Sequence, residues 1–250
     1  MLKFNLPFSI VALLATSAIS GCGQKATIIA QASASAPPSN SQTSSTLRSQ
    51  QYQQLDSRYS AIQRRFENGE LTGDELRAEF REFYPTDADL APKFDAWVAQ
   101  FPMSYVARVA RGIYYKKVGF EARGTNYIKD TSQSQIDAMT AAFEKSVADL
   151  RDSLNMDPKP FLSYFHLLDI GMSVGAKENL RALFDRAIAL DPSSYAVRLK
   201  YMVTLEPRWG GSMDEMQSFY AECQRAGLND AQNKELQGML AQEQAWLAQR

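Results

Sequence analysis

From Tyr52 onward, the apolar residues of this chain recur every three or four positions. That spacing places them on one face of an α-helix, and each such face has to be buried against another helix. No segment shows the strict alternation of a half-buried strand. The sequence therefore predicts an all-α domain. The clearest stripes are Tyr52, Leu55, Tyr59, Ile62 and Phe66; Ile136, Met139, Phe143, Val147, Leu150 and Leu154; Leu180, Leu183, Phe184, Ala187 and Ile188; and Leu236, Met239, Leu240, Trp246 and Leu247.

Signals at the helix ends agree with this prediction. A Ser or Thr followed three residues later by Glu or Gln marks a helix start, because each side chain can bond a backbone amide of the other residue. Three such pairs occur: Thr72 with Glu75, Ser132 with Gln135, and Ser212 with Glu215. Glycines and prolines predict where helices end, at Gly119, Gly124, Pro158, Gly175, Pro192 and Gly227.

The start of the chain has the layout of an export signal. Residues 1–21 combine a basic start with an apolar stretch that is too short to span a membrane. The run Ile19-Ser20-Gly21-Cys22 resembles the cleavage site of bacterial lipoproteins, which implies that Cys22 becomes an acylated first residue anchored in membrane lipid. In that family, Gly23 in place of Asp implies the periplasmic face of the outer membrane in a Gram-negative cell. An ordinary secretory signal with an incidental cysteine is the alternative.

Residues 22–50 differ in composition from everything that follows. They are rich in Ala, Ser, Thr, Gln and Pro, so they bury too little apolar surface to offset the entropy of ordering them. We expect a disordered tether over residues 22–50 and one folded domain over residues 51–250. With Cys22 acylated, Cys223 has no cysteine to pair with. It shares a helical stripe with Met216 and Phe219, so we expect a buried, unreactive thiol.

Charge and residue types argue against several classes of function. The chain has 27 basic and 28 acidic side chains and no basic block, so nucleic acid is not an expected partner. His166 is the one histidine, which excludes zinc sites built on two or three imidazoles, and we expect a local ion pair with Asp169. Phosphate-binding glycine loops and nucleophile elbows are absent from the sequence. We therefore expect no catalytic residue, no metal and no cofactor.

Two segments of the chain look like copies of one unit. Asp157-Pro158 and Asp191-Pro192 are 34 residues apart, which is the period of the tetratricopeptide helix-turn-helix unit. The match is degenerate, and a coincidental pair of helical hairpins is the alternative. Paired helices stack in either case, so we predict helical hairpins stacked as a short tetratricopeptide-like right-handed solenoid. The aligned positions are Leu150 with Phe184, Leu154 with Ile188, Phe161 with Tyr195, Phe165 with Leu199, and Leu168 with Met202.

Three short motifs carry a resemblance to a known family. They are ARGIYY at 110–115, ARGTNY at 122–127 and PRWGGS at 207–212. Together they resemble the bacterial domain-of-unknown-function family numbered 4034, whose members are helical and tetratricopeptide-like. The likeness covers about residues 101–228. It implies an architecture and no activity.

The same motifs contain the residue types that dominate binding hot spots. Trp, Tyr and Arg bury large areas and make directional contacts. The alternative is a structural role, in which an ion-pair group of Arg111, Glu121 and Arg123 holds the corners at Gly112 and Gly124. The candidate partner-binding residues are Arg111, Tyr114, Tyr115, Arg123, Tyr127, Arg208 and Trp209.

Two functional hypotheses follow from the sequence. The first is a lipid-anchored envelope lipoprotein that binds another envelope protein or peptide through exposed Arg and aromatic side chains, without catalysis. The second is a cell-wall-acting hydrolase that uses two carboxylates in a deep cleft, one of them with a raised pKa. Within the first hypothesis, an assembly factor and a toxin neutraliser have the same sequence features.

Overall fold

The computed structural model describes residues 41–126 and 130–249. This part of the chain contains eleven α-helices and no strand, so the all-α prediction is confirmed. Short 3-10 helices lie between some of them, at Phe80–Phe83, Ala88–Leu90, Lys177–Asn179 and Pro207–Trp209. The α-helices are α1 (Gln42–Arg48), α2 (Tyr52–Glu67), α3 (Gly73–Glu79), α4 (Ala91–Gln100), α5 (Tyr105–Arg123), α6 (Gln133–Ser153), α7 (Phe161–Ser173), α8 (Leu180–Leu190), α9 (Tyr195–Thr204), α10 (Met213–Arg225) and α11 (Asp230–Ala248).

Neighbouring helices pack as hairpins around one core. α5 packs on α6, α7 on α8, and α10 on α11. α7 also contacts both α5 and α9, so α5, α7 and α9 form a row, and α3 packs against the same helix α7. This arrangement confirms the stacked hairpins, while the tetratricopeptide likeness and the right-handed path stay predictions. In the described part, no helix combines the length and the apolar content needed to cross a membrane.

The two predicted repeat copies share a local geometry. The Asp157 carboxylate accepts a 2.8 Å bond from the Lys159 amide, and the Asp191 carboxylate accepts a 2.9 Å bond from the Ser193 amide. Each aspartate therefore closes the same turn around the proline that follows it. Asp191 also accepts a 2.7 Å bond from the Gly73 amide, which ties α3 to the end of α8.

The ordered domain begins earlier than the sequence suggested. Residues 42–48 form α1, and Leu47 is 1% exposed. The Thr43 hydroxyl lies 2.9 Å from the Tyr59 hydroxyl, so polar side chains also join α1 to α2. The predicted disorder of residues 41–50 is therefore wrong. The polar composition of this segment does not exclude a helix, because Leu47 packs into the core and the Ser41 hydroxyl accepts a bond from the Ser44 amide at the helix start.

Most predicted helix ends are confirmed. Thr72 and Ser132 each form the reciprocal capping box, and the Ser212 hydroxyl accepts a bond from the Glu215 amide. Gly124 ends α5 with a φ of 70°. The predicted helix end at Gly119 is wrong, because this glycine lies inside α5. A Cβ there would stand 2.5 Å from the Phe143 ring, so its missing side chain lets α5 and α6 approach closely.

Cys223 lies on the buried face of α10, as its helical spacing from Met216 and Phe219 predicts. It is fully buried in α10 near Met216 and Phe219, and burial raises the pKa of its thiol to about 11. A thiol that stays protonated is a poor nucleophile. The predicted burial of Cys223 is confirmed, and its low reactivity follows from the raised pKa.

Candidate functional site

The candidates on α5 lie inside the fold. The Arg111 guanidinium donates two 2.7 Å bonds to Asp149 and one of 2.9 Å to Asp95. Tyr114 is 2% exposed and Tyr115 is 8% exposed. The expectation that these side chains form exposed anchors is therefore wrong, because α4 and α6 enclose this face of α5. Arg111 holds helices together instead.

The expected ion-pair group of Arg111, Glu121 and Arg123 does not form. Arg111 pairs with α4 and α6, whereas Arg123 donates to the backbone oxygens of Gly124 and Asn126, at 3.2 and 3.4 Å. Arg123 therefore supports the C-terminal end of α5. Gly112 lies within α5 and is not a corner. Two candidates, Tyr127 and the lipidation residue Cys22, lie outside the described residues.

The motif at 207–212 gives one exposed anchor. Arg208 forms ion pairs with Glu206 and Glu243, and its guanidinium lies 5.5 Å from the centre of the Trp246 ring. These contacts connect the turn after α9 to α11. Trp209 is 48% exposed, so it is the described candidate best placed to meet a partner. Its role in binding stays a prediction.

A buried charged cluster joins three helices of the row. The Lys116 ammonium of α5 lies 2.8 Å from Nδ1 of His166 and 2.6 Å from the Asp169 carboxylate, both on α7. Lys200 of α9 binds the other oxygen of Asp169 at 2.7 Å. Lys116, His166 and Asp169 are at most 6% exposed. We call Lys116, His166, Asp169 and Lys200 the lysine cluster.

The lysine cluster fixes the charge states of its members. Burial and the charge of Lys116 lower the pKa of His166 well below its usual value, so the ring is neutral. Because Nδ1 accepts from the ammonium, the ring proton lies on Nε2, which has no partner among the described residues. Burial alone would raise the pKa of Asp169, but Lys116 and Lys200 outweigh it and hold that pKa far below its usual range. The expected local pair of His166 with Asp169 is wrong, because Lys116 bridges them.

Two further cations border the lysine cluster. The Lys117 ammonium lies 4.9 Å from the centre of the Tyr84 ring, and the Arg77 guanidinium lies 5.3 Å from that of Phe165. Burial and the charge of Lys116 lower the pKa of Lys117, while Glu121 acts on it from beyond salt-bridge distance. Among the described residues, neither Lys117 nor Arg77 forms an ion pair with a carboxylate.

Positive charge is therefore in excess at this place. The charges of Arg77 and Lys200 both act on the His166 ring, and that of Lys200 acts on Lys117, so the four cations share one neighbourhood. Asp169 is the one carboxylate of the described residues that forms ion pairs with them, and Glu121 acts on Lys117 from further away. Cations therefore outnumber carboxylates here, in a chain whose formal net charge is −1. An anion arriving beside α3, α5 and α9 would meet Arg77, Lys117 and Lys200, which are partly exposed.

Carboxylates with raised pKa values lie elsewhere. Burial and the neighbouring Glu243 raise the pKa of Glu206 to about 7. Burial and Glu67 raise the pKa of Asp157 to about 6. Neither Glu206 nor Asp157 lines the two surface depressions of about 340 and 300 Å³, which meet at Thr72. In the described ranges, no group of three or more His, Cys, Asp or Glu side chains could hold a metal ion.

The family model described as Domain of unknown function (DUF4034) matches residues 40–189. The chain belongs to this family. Neither the curated proteins nor the solved structures gave a match.

The matched range differs from the one the motifs suggested. It includes helices α1 to α4, which precede residue 101, and it ends before the motif at 207–212. The expected coverage of residues 101–228 is therefore wrong at both ends. Within this DUF4034 domain, the match covers Arg77, Lys116, Lys117 and the two cluster residues of α7, whereas Lys200 lies beyond it.

Sequence reasoning missed the lysine cluster, although a signal was present. Lys116 falls on the apolar stripe of α5, between Ile113 and Phe120 at helical spacing. His166 and Asp169 lie in a helix that is apolar on nearly every side. A charged residue on a buried stripe needs a partner of opposite charge, so the sequence could have predicted a pairing of Lys116 with an acidic residue. It could not have shown which helix supplies that residue.

Proposed function

We propose that this chain is a bacterial envelope lipoprotein, held at the membrane by acylated Cys22, whose helical domain binds a partner protein without catalysing a reaction. The run Ile19-Ser20-Gly21-Cys22 supports the anchor. The excess of positive charge around the lysine cluster supports the binding part, because Lys117 and Arg77 are partly exposed and form no ion pair among the described residues, so their donors are available to an anionic ligand. Trp209 offers a second contact point.

A cell-wall hydrolase is the second candidate. The raised pKa of Glu206, about 7, is the observation in its favour, since a general acid needs a pKa near the working pH. Its neighbour Glu243, however, is buried and already paired with Arg208. This pairing favours a structural role for Glu243 over the role of a second catalytic carboxylate beside Glu206.

Fractionation tests the anchor. Cys22→Ser removes the acylated sulfur, so we expect loss of lipid labelling and release of the protein into the soluble periplasm. Lys234→Gln, an exposed change on α11, serves as a control that should leave membrane attachment intact. If the Cys22→Ser protein remained in the membrane fraction, the anchor would have to be abandoned.

Site-specific crosslinking in cells tests partner binding. A photoreactive amino acid placed at Lys117 or Trp209 should crosslink one defined protein, whereas the same group at the exposed Lys234 should not. Incubation with peptidoglycan tests the alternative. Release of soluble fragments by the wild-type protein and not by Glu206→Gln would replace the binding function with hydrolysis.

A further inference from the structure

We infer that the partner is recognised through a carboxylate-rich peptide segment, which enters between α3, α5, α7 and α9 and pairs with Lys117, Lys200 and Arg77. This inference rests on the proposed function and specifies the chemistry of the partner. It assigns a ligand class to a charged site that neither the resemblance nor the family match describes.

The cations at this site outnumber the carboxylates that pair with them. Asp169 is shared between Lys116 and Lys200, so its two oxygens are already used at 2.6 and 2.7 Å. Lys117 and Arg77 rest on aromatic rings instead of carboxylates. A cation on a ring keeps its remaining donors free for a ligand. The site therefore binds one carboxylate of the chain itself and has donors left for more.

The chemistry of the existing contacts favours carboxylates. Lys116 and Lys200 both bind the Asp169 carboxylate. A glutamate or aspartate side chain of a partner would present the same carboxylate group to Lys117 and Lys200. The ring of Tyr84 is half-buried beside Lys117, so it offers an apolar wall for the methylene groups of a glutamate. Charge complementarity of this kind governs both partner choice and association rate.

The depth of the site favours a peptide over a membrane surface. Lys116 is 2% exposed, and the side chain of Lys200 is 29% exposed. A flat layer of lipid headgroups would reach only the outermost cations. A single extended chain can insert its side chains between helices, which is a common mode of peptide recognition.

Fluorescence anisotropy tests the inference with a defined probe. The full-length chain in neutral detergent micelles is titrated against a labelled hexaglutamate peptide, with a hexaglutamine peptide for comparison. We expect saturable binding of hexaglutamate alone, which weakens as salt is added because the interaction is electrostatic. Vesicles of phosphatidylglycerol and of phosphatidylcholine form the lipid arm, and neither should compete with the peptide.

Matched variants locate the binding. Lys117→Gln combined with Lys200→Gln removes two charges at the site. Both side chains are partly exposed and Lys116 still pairs with Asp169, so we expect the fold to persist. Lys145→Gln combined with Lys234→Gln removes two exposed charges elsewhere. We expect at least tenfold weaker hexaglutamate binding for the first pair, about 1.4 kcal/mol, and less than a twofold change for the second.

The outcomes separate this inference from the proposed function. Absence of saturable hexaglutamate binding, an equal effect of both variant pairs, or displacement of the peptide by phosphatidylglycerol vesicles would overturn the inference. If crosslinking from Trp209 still captured a defined partner, the proposed binding function would be retained, but the partner would not be recognised through carboxylates at the lysine cluster. If hexaglutamate bound as expected and no position crosslinked a protein, the proposed function would fail while the anion-binding site remained.

Discussion

Replacing Asp169 by asparagine should destabilise the protein more than any single change at its surface. Asp169 is buried and accepts bonds from Lys116 at 2.6 Å and Lys200 at 2.7 Å. The substitution keeps the shape of the side chain and removes its charge. Lys116 is 2% exposed and would be left without a counter-charge. Breaking a buried pair in this way costs about 3–5 kcal/mol.

That loss is large relative to the total stability of a domain, which is about 5–15 kcal/mol. For a domain of this size, it corresponds to a fall in Tm of about 6–20 °C. Urea unfolding followed by circular dichroism measures the free energy of unfolding directly. We expect the midpoint to fall and the slope with urea to stay constant, because the surface exposed on unfolding is unchanged.

Two further variants make this reasoning testable. Asp185→Asn removes one member of an exposed pair with Arg181 and should cost less than about 0.5 kcal/mol. Adding Lys116→Met to Asp169→Asn removes the orphaned charge, so it should restore part of the lost stability. A loss below about 1 kcal/mol for Asp169→Asn, or no recovery in the double variant, would refute the view that these charges depend on one another.

Three more changes test the packing and the pH response. Leu47→Ala should lower the free energy of unfolding, measured in urea, by about 2–4 kcal/mol, because Leu47 packs α1 against the core. If no stability were lost, α1 would not be part of the folded domain. Gly119→Ala should lower the free energy of unfolding by about 1–3 kcal/mol, because the new Cβ would lie 2.5 Å from the Phe143 ring. Gly238→Ala, where nothing lies within 4 Å, should be neutral or stabilising. Equal effects of the two substitutions would contradict the close approach of α5 and α6. The pKa of Glu206 is raised from 4.5 to about 7, so the folded state holds this proton more tightly than the unfolded state and its contribution to stability is lost as pH rises from 4.5 through 7. The stability of Glu206→Gln relative to wild type should therefore increase by about 1–2 kcal/mol as pH rises from 4.5 to 8, as measured by unfolding experiments. A stability difference that does not change with pH would contradict the raised pKa of Glu206.

The predictable part of this fold is the part that local chemistry dictates. Helical stripes, capping boxes and positive-φ glycines act over a few residues, so the sequence alone located α2, α6, α8, α10 and α11 and the starts of α3, α6 and α10. Gly119 shows the limit of this approach. A glycine can end a helix or make room for a neighbouring helix, and the choice depends on Phe143, which lies 24 positions further along the chain.

The candidate site was less predictable for the same reason. Tyr114 and Arg111 have the residue types of a binding surface, and only the packing of α4 and α6 shows that Tyr114 is buried and that Arg111 is held in ion pairs between helices. Lys116 has the type of a surface residue and is enclosed among aromatic rings. Lys116 and Asp169 are 53 positions apart, and Lys200 lies on yet another helix, so no local pattern contains these pairs.

The most direct test of the account uses the single histidine as a probe. His166 lies 2.8 Å from Lys116, and its pKa is depressed by burial and by the charge of that lysine. An acidic peptide bound at the lysine cluster would offset part of the positive charge and raise the pKa of the ring. NMR of the imidazole nitrogens, recorded against pH with and without hexaglutamate, should show saturable shifts and a higher pKa with the peptide. Unchanged ring signals and an unchanged pKa at saturating peptide would contradict the account.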